Sequence, residues 1–227
     1  MPIINKEKYE KIFADSFPFW SKLTTSQQSM LVRNTIANKY PQGAILHDGN
    51  QCTGAILVIK GSIRAYILSE EGREVTLYRL FPGKICMLSA SCVLQSITFN
   101  VIVEAETDSE CLIINGKTFA DLSEENLYMQ NFALSTAVER FSRVMFVLQQ
   151  ILFTSLDKRL AAFLIEESQH MKTLELKLTQ EHIARNLSSA REVISRLLKY
   201  LSEEQAVKVT RGKIIITDIK KLQQIAD

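Results

Sequence analysis

The chain has 227 residues, 46% of them hydrophobic, and a formal net charge of +2. That is enough apolar material to fill a core shared between a larger and a smaller unit, and too little net charge to mark a nucleic-acid binder by charge alone. No apolar run reaches membrane-spanning length, and charges at Lys6 and Glu7 arrive before any hydrophobic block, so neither a membrane span nor a signal peptide is expected and the chain is placed in the cytoplasm.

Residues 5–40 are mixed in character and helical in tone. From Pro41 to Ile114 the pattern changes to short apolar segments at 55–59, 62–68, 74–80, 100–105 and 111–114, separated by Gly, Asn, Asp and Ser. Segments of that length with tight turns predict a small antiparallel sandwich or barrel, with Glu70-Glu71-Gly72-Arg73 as one hairpin turn. All four cysteines fall in this region. In a cytoplasmic chain they are not expected to form a disulfide framework, which leaves redox sensing, metal binding or plain burial. Cys52 and Cys111 lie in apolar contexts and read as small buried hydrophobes, whereas Cys86 and Cys92 are candidates for redox or effector sensing. Their spacing is not that of a zinc or iron-sulfur site.

A long helix follows. Leu127, Asn131, Leu134, Val138, Phe141, Met145, Leu148 and Leu152 alternate steps of four and three, a heptad seam with one polar member. Such a seam predicts pairing with a second copy, with Asn131 fixing register and partner number, and the alternative is that it packs on the chain's own barrel. Phe132, Val144, Phe146, Val147 and Ile151 lie outside the seam, so the helix has apolar residues for both contacts. A hinge is expected near 153–157, where Thr154 and Ser155 can cap the helix that comes next.

Residues 178–200 read as two short helices joined by a tight turn. Leu178, Ile183, Ala184 and Leu187 form one apolar stripe behind an N-cap at Thr179; Ala190, Val193, Ile194, Leu197, Leu198 and Leu201 form a second. This leaves Arg191, Glu192, Ser195, Arg196 and Lys199 on or beside the opposite face. A recognition helix reads base edges with its N-terminal residues, where Arg pairs with guanine and Glu accepts from cytosine. The alternative is a capping box from Ser189 to Glu192 on an ordinary solvated helix. Val207-Lys208-Val209, a turn at Arg211-Gly212, and a second strand from Lys213 to Thr217 then predict a wing, where Lys208, Arg211 and Lys213 would meet phosphate. From 177 to 213 there are eight Lys or Arg against four Asp or Glu, a local excess of four positive charges.

No phosphate loop, metal-ligand motif or nucleophile elbow is present, so no enzyme is expected. Two functions compete: a DNA-binding regulator, and a dimeric ligand-binding or interaction module without specific DNA readout. The second leaves the Arg-Glu helix and the basic wing unused.

The order of barrel, long helix and winged helix-turn-helix resembles the cyclic-AMP receptor protein and FNR (CRP/FNR) family of bacterial transcription regulators, over nearly the whole chain. Tyr40-Pro41-Gln42-Gly43-Ala44-Ile45-Leu46-His47-Asp48-Gly49-Asn50 is similar to the family's first barrel strand and Gly turn, and Val58-Ile59-Lys60-Gly61-Ser62-Ile63-Arg64 to its next strand pair. Phe81-Pro82-Gly83 is similar to the entry of its effector pocket, and Ala190-Arg191-Glu192-Val193-Ile194-Ser195-Arg196-Leu197-Leu198 to its recognition helix.

The resemblance implies an α+β chain in three parts: an effector-sensing, jelly-roll-like barrel over 1–125, a dimerisation helix over 126–153, and a winged helix-turn-helix over 154–227. It also implies a homodimer on double-stranded DNA with a palindromic operator, and RNA polymerase as a partner where the regulator activates. Arg191, Glu192 and Arg196 would read bases, with Ser195 as a further contact; Thr179, Lys199 and Lys213 complete the DNA-binding set.

In the cyclic-AMP branch a Gly-Glu pair holds ribose and an Arg-Ser pair holds the cyclic phosphate. Met87-Leu88 and Phe99-Asn100 match those positions here, so cyclic AMP bound in the family's manner is not expected. The effector or redox candidates are therefore Cys86, Met87, Leu88, Cys92, Phe99 and Asn100, with the effector unknown. The N-terminal cysteine cluster of the oxygen-sensing branch is absent. Haem, for which His47 would be a candidate ligand, has no motif to support it.

Overall fold

The computed structural model describes residues 6–49, 52–70, 72–87 and 101–226. It divides into two compact units, Met1–Leu68 with Leu77–Val144, and Ser69–Thr76 with Met145–Asp227, so the boundary falls inside the long helix rather than at its ends.

The chain begins with α1 (Lys6–Ser16), a 3-10 turn and α2 (Thr25–Arg33), then runs through β1 (Thr35–Tyr40), β2 (Ile45–His47), β3 (Ala55–Lys60), β4 (Ile63–Leu68), β5 (Glu74–Leu80), β6 (Ile85–Cys86), β7 (Ile102–Ala105) and β8 (Ser109–Ile114). Among the described residues these form two four-stranded sheets, ordered β1-β8-β3-β6 and β2-β7-β4-β5. The unbroken apolar run of β3 follows from burial on both faces. Ile56 and Val58 point into the space between the sheets with Cys111 and Ile113 of β8, while Ala55 and Leu57 point outward with Leu112 and Ile114 onto a helical layer. That layer holds Phe13, Phe17, Phe19, Trp20 and Leu31, together with Phe119 and Leu122 of α3 (Gly116–Glu125). Gly61 turns β3 into β4 at a φ of 80°, and a Cβ there would sit 2.4 Å from the Asp108 carbonyl oxygen, so only glycine fits.

Side chains on β4, β5, β7 and the residue just after β7 account for two largely enclosed ion pairs. Arg64 reaches Glu104 at 2.8 Å, and Arg79 reaches Glu106 at 2.7 Å. Removing one member of either pair would strand a charge.

The long helix, α4 (Leu127–Phe153), starts where Asn126 Oδ1 accepts the amides of Tyr128 and Met129, each at 3.1 Å. Its buried residues are Met129, Ala133, Thr136 and Arg140, and Phe132 packs edge-on against Phe17 and Phe19. The heptad seam lies elsewhere on the helix: Leu127, Leu134, Val138, Phe141, Met145, Leu148 and Leu152 are 44–66% exposed, and Asn131 is exposed as well. Within the first unit, Leu127, Leu134, Val138 and Phe141 of the seam are thus not buried among the described residues of the barrel. Among the described residues no helix is long and apolar enough to cross a membrane.

The second unit contains α5 (Leu156–Met171), β9 (Glu175–Leu176), α6 (Gln180–Leu187), α7 (Arg191–Glu203), β10 (Val207–Thr210), β11 (Lys213–Ile216) and α8 (Ile219–Ala226). Its three strands run in the order β10-β11-β9, and its core joins Leu160 and Leu164 of α5 to Ile183, Leu187, Ile194, Leu198, Leu201, Ile214 and Leu222. At the start of α5 Ser155 occupies the N-cap without bonding a backbone amide. It hydrogen-bonds the Asp157 carboxylate instead and, with backbone amides, holds that acid below its ordinary range.

Several elements differ from expectation. Thr35–Tyr40 is a strand rather than part of a helical stretch; as an edge strand only its first residue is buried, so no apolar alternation marks it. Cys52 is exposed, outside any strand, and disulfide-bonded, which corrects the expectation of a buried, unbridged cysteine there. Cys111 is buried as expected. Burial, and secondarily the neighbouring Cys86, pushes its thiol up to about 12. The Cys86 and Cys111 side chains are almost fully enclosed, so a thiol-reactive disulfide reagent should leave both unlabelled in the folded chain and modify them only on unfolding. Labelling of either within minutes under native conditions would contradict this packing.

Candidate nucleic-acid interface

The second unit builds the expected helix pair. Thr179 caps α6, its hydroxyl accepting the His182 amide at 3.1 Å, and Ile183, Ala184 and Leu187 form the buried stripe. Ser188 ends the helix in the left-handed region at a φ of 53°, which turns the chain sharply within three residues into α7. Arg159 of α5 fixes that corner by donating to the Leu187 carbonyl at 2.6 Å, and burial lowers the pKa of its guanidinium. Nothing in the sequence marks Arg159 as a positioning residue, because the bond spans 28 positions. Replacing Thr179 by Ala removes one cap, and the second unit is expected to lose about 1 kcal/mol of stability, read as an earlier thermal transition.

The N-cap of α7 is Ala190, and no side chain caps it. The Ser189–Glu192 capping box is therefore not formed, and Glu192 is left outward. Arg191, Glu192, Ser195, Arg196 and Lys199 are all exposed, and at 3.6 residues per turn they fall within an arc of about 140°. Ile194, Leu198 and Leu201 hold the opposite side in the core. Among the described residues Arg191, Glu192 and Arg196 form no ion pair with one another or with neighbours. Lys199 makes only a loose contact with Glu203 at 3.8 Å. A helix face with unpaired donors in its first two turns can present them to base edges without first breaking internal bonds.

The wing forms as expected. Thr210 pairs with Lys213 across Arg211-Gly212, and Gly212 takes the positive φ of 75° that closes the turn. Lys208 and Arg211 project into solvent, while Lys213 reaches the Glu175 carboxylate on β9 and holds that acid below its ordinary range. A cleft of about 330 Å³ lies between the start of α6, α7 and the wing, lined by Thr179, Gln180, Glu181, Arg191, Thr210 and Arg211 among others. Gln180, Glu181 and Thr210 were not singled out in the sequence; their signal was their place beside the Thr179 cap and the wing turn.

Of the effector candidates in the first unit, Cys86 faces the space between the sheets, where its sulfur lies 3.8 Å from the Tyr78 hydroxyl. Met87, the next residue, packs on the opposite side, in the helical layer. Leu88, Cys92, Phe99 and Asn100 lie outside the described residues. His47 is buried with Nδ1 2.9 Å from the Thr53 hydroxyl, and burial holds its pKa below the ordinary histidine value. Among the described residues no group of three or more His, Cys, Asp or Glu side chains is placed to hold a metal ion.

The cyclic nucleotide-binding domain family matches residues 38–126, and the Crp-like helix-turn-helix domain family matches residues 158–225. A crystal structure of a CRP/FNR-family transcriptional regulator from Eubacterium rectale is 45% identical, covers 93% of this chain and 98% of its own, and superimposes with a TM-score of 0.88. The chain belongs to the CRP/FNR family. Its CRP/FNR relatives include the cAMP-activated global transcriptional regulator CRP of Haemophilus influenzae, 23% identical over 86% of this chain and 93% of that protein. FixK2 of Bradyrhizobium japonicum, at 15% identity and a TM-score of 0.70 over 85% of this chain and 98% of its own, shares the fold. This CRP/FNR chain therefore has the parts of a DNA-binding transcription regulator with an effector-binding domain, and the relatives it matches are regulators.

Proposed function

We propose that the chain is a cytoplasmic, homodimeric regulator that reads a palindromic operator with Arg191, Glu192, Ser195 and Arg196, grips phosphate through Thr179, Lys199 and the wing cations including Lys213, and responds to a signal in its barrel other than cyclic AMP. The observation that carries this is the outward face of α7, whose charged residues near the N-terminus are unpaired while its apolar residues are locked in the core. The exposed seam on α4 supports pairing, since an apolar stripe of seven large side chains standing in water has a strong drive to be covered. Two copies joined along it would bring two reading heads about one DNA turn apart, roughly 34 Å. A barrel signal would act as a population shift, altering the packing of α4 and the hinge at 153–157 and so the spacing of the heads. At an activated promoter the partner is RNA polymerase.

Selection of bound sequences from a random duplex pool tests the proposal. Enrichment of a twofold-symmetric site is expected, and enrichment without sequence preference would return the chain to the interaction-module alternative. A finer test separates gripping from reading: Arg211→Ala should lower the slope of log K against log salt by about 1 for each phosphate it no longer neutralises, and leave sequence preference unchanged.

A further inference from the structure

The carbonyl of Leu187, the last residue of α6, has no further turn of its own helix to bond it. Ser189 and Ser188 return their amides to Ala184 at 2.9 Å and Arg185 at 3.5 Å, so the left-handed cap serves only the carbonyls before it. The Leu187 carbonyl is met from outside the helix pair, by Nη2 of Arg159 at 2.6 Å. Arg159 stands in the first turn of α5 beside Leu160 and Ala161, both wholly enclosed, so the core holds the backbone that carries it. Among the described residues no carboxylate competes for the guanidinium. Its charge faces the negative end of the α6 dipole, where a cation is favoured. The turn at 188–190 contains neither glycine nor proline, and α7 starts at Ala190 without a side-chain cap, so the local sequence does little to fix the angle of the corner.

Small changes at that corner are large at the reading face. Arg196 lies about 9 Å along the axis from the α7 N-cap at 1.5 Å per residue, so a tilt of about 10° displaces it by about 1.6 Å. A hydrogen bond to a base edge is lost well before that. We infer that Arg159 is a specificity-determining residue that touches no DNA: its bond to the Leu187 carbonyl sets the tilt at which α7 presents Arg191, Glu192 and Arg196. It is a positioning residue, and the inference rests on the proposal that those three side chains read bases. Because Arg159 comes directly after the proposed hinge at 153–157, the same bond makes the helix pair follow α5 when the hinge moves.

Binding of the full chain to its selected operator and to an unrelated duplex, each over a salt series, tests the inference. Arg159→Met should weaken operator binding roughly 10–100-fold and leave binding to the unrelated duplex within about twofold, so the ratio of the two falls. The salt slope should match the parent's, because Arg159 neutralises no phosphate. Arg159→Lys keeps a donor and a charge at the helix end and should recover most of the ratio. Circular dichroism of every variant at the assay temperature restricts the comparison to folded protein. Should Arg159→Met be unfolded there, Arg159→Lys and Arg159→Gln carry the test, with the ratio expected to fall from parent to Lys to Gln. An unchanged ratio in the folded Met or Gln variant, a loss on both duplexes with a salt slope lower by about 1, or no recovery in Arg159→Lys would each overturn the inference. The parent keeps the two levels apart: specific binding by the parent with an unchanged ratio in the variant removes the positioning role alone, whereas a parent without sequence preference removes the regulator proposal itself.

Discussion

Replacing Arg191 and Arg196 together by Ala is expected to weaken binding to the selected operator by at least roughly 10³-fold, because each good bidentate Arg–guanine pair contributes about 1–3 kcal/mol and a symmetric site contains both pairs twice. Binding to unrelated duplex should fall much less, since phosphate contacts on the wing remain. The fold should be untouched. Both side chains are exposed and bonded to no other described residue, and the buried side of α7 is built from Ile194, Leu198 and Leu201. The melting curve and far-ultraviolet circular dichroism of the double variant should therefore overlay those of the parent. Operator affinity within threefold of the parent would show that these two residues are not the readers.

The second large effect concerns the seam. Phe141 is 65% exposed in the single chain and lies at its centre. A buried Phe contributes about 1.5–3 kcal/mol, and in a symmetric pair the residue is buried twice, so Phe141→Glu should raise the dimer dissociation constant by at least 10²-fold even before charge repulsion across the axis is counted. Sedimentation should show a monomer at micromolar concentration for Phe141→Glu and a dimer for Phe141→Leu, with operator affinity following the assembly. A monomeric parent, or a dimeric Phe141→Glu, would place the contact elsewhere.

The parts of the molecule that could be read from sequence are those in which one residue pattern serves one purpose. The helix pair at 179–203 shows its two stripes, its cap at Thr179 and its wing turn at Gly212 because each is a local requirement of backbone geometry. The period of the α4 seam was legible for the same reason, and its apolar side chains stand exposed in the single chain. Edge strand β1 was not legible, because a strand buried at one residue has no alternation to display. Nor was the direction of Met87. β6 is two residues long, and only its pairing with β3 decides that Cys86 turns inward and Met87 outward. Arg140 and Arg159 were missed because their partners, Tyr78 and the Leu187 carbonyl, lie far away along the chain. The uncapped start of α7 corrected a local pattern: Ser189 and Glu192 have the spacing of a capping box, yet the N-cap falls one residue later, at Ala190, and Glu192 turns outward.

If the open stripe on α4 pairs two copies, as proposed, the amount of protein becomes a control variable. A chain that must meet its twin before it can bridge two half-sites occupies DNA in proportion to the square of its concentration wherever the pair is mostly dissociated. Doubling synthesis would then raise occupancy about fourfold, and dilution at cell division would silence weak sites before strong ones, so the dose of the protein would sharpen the response before any effector is bound.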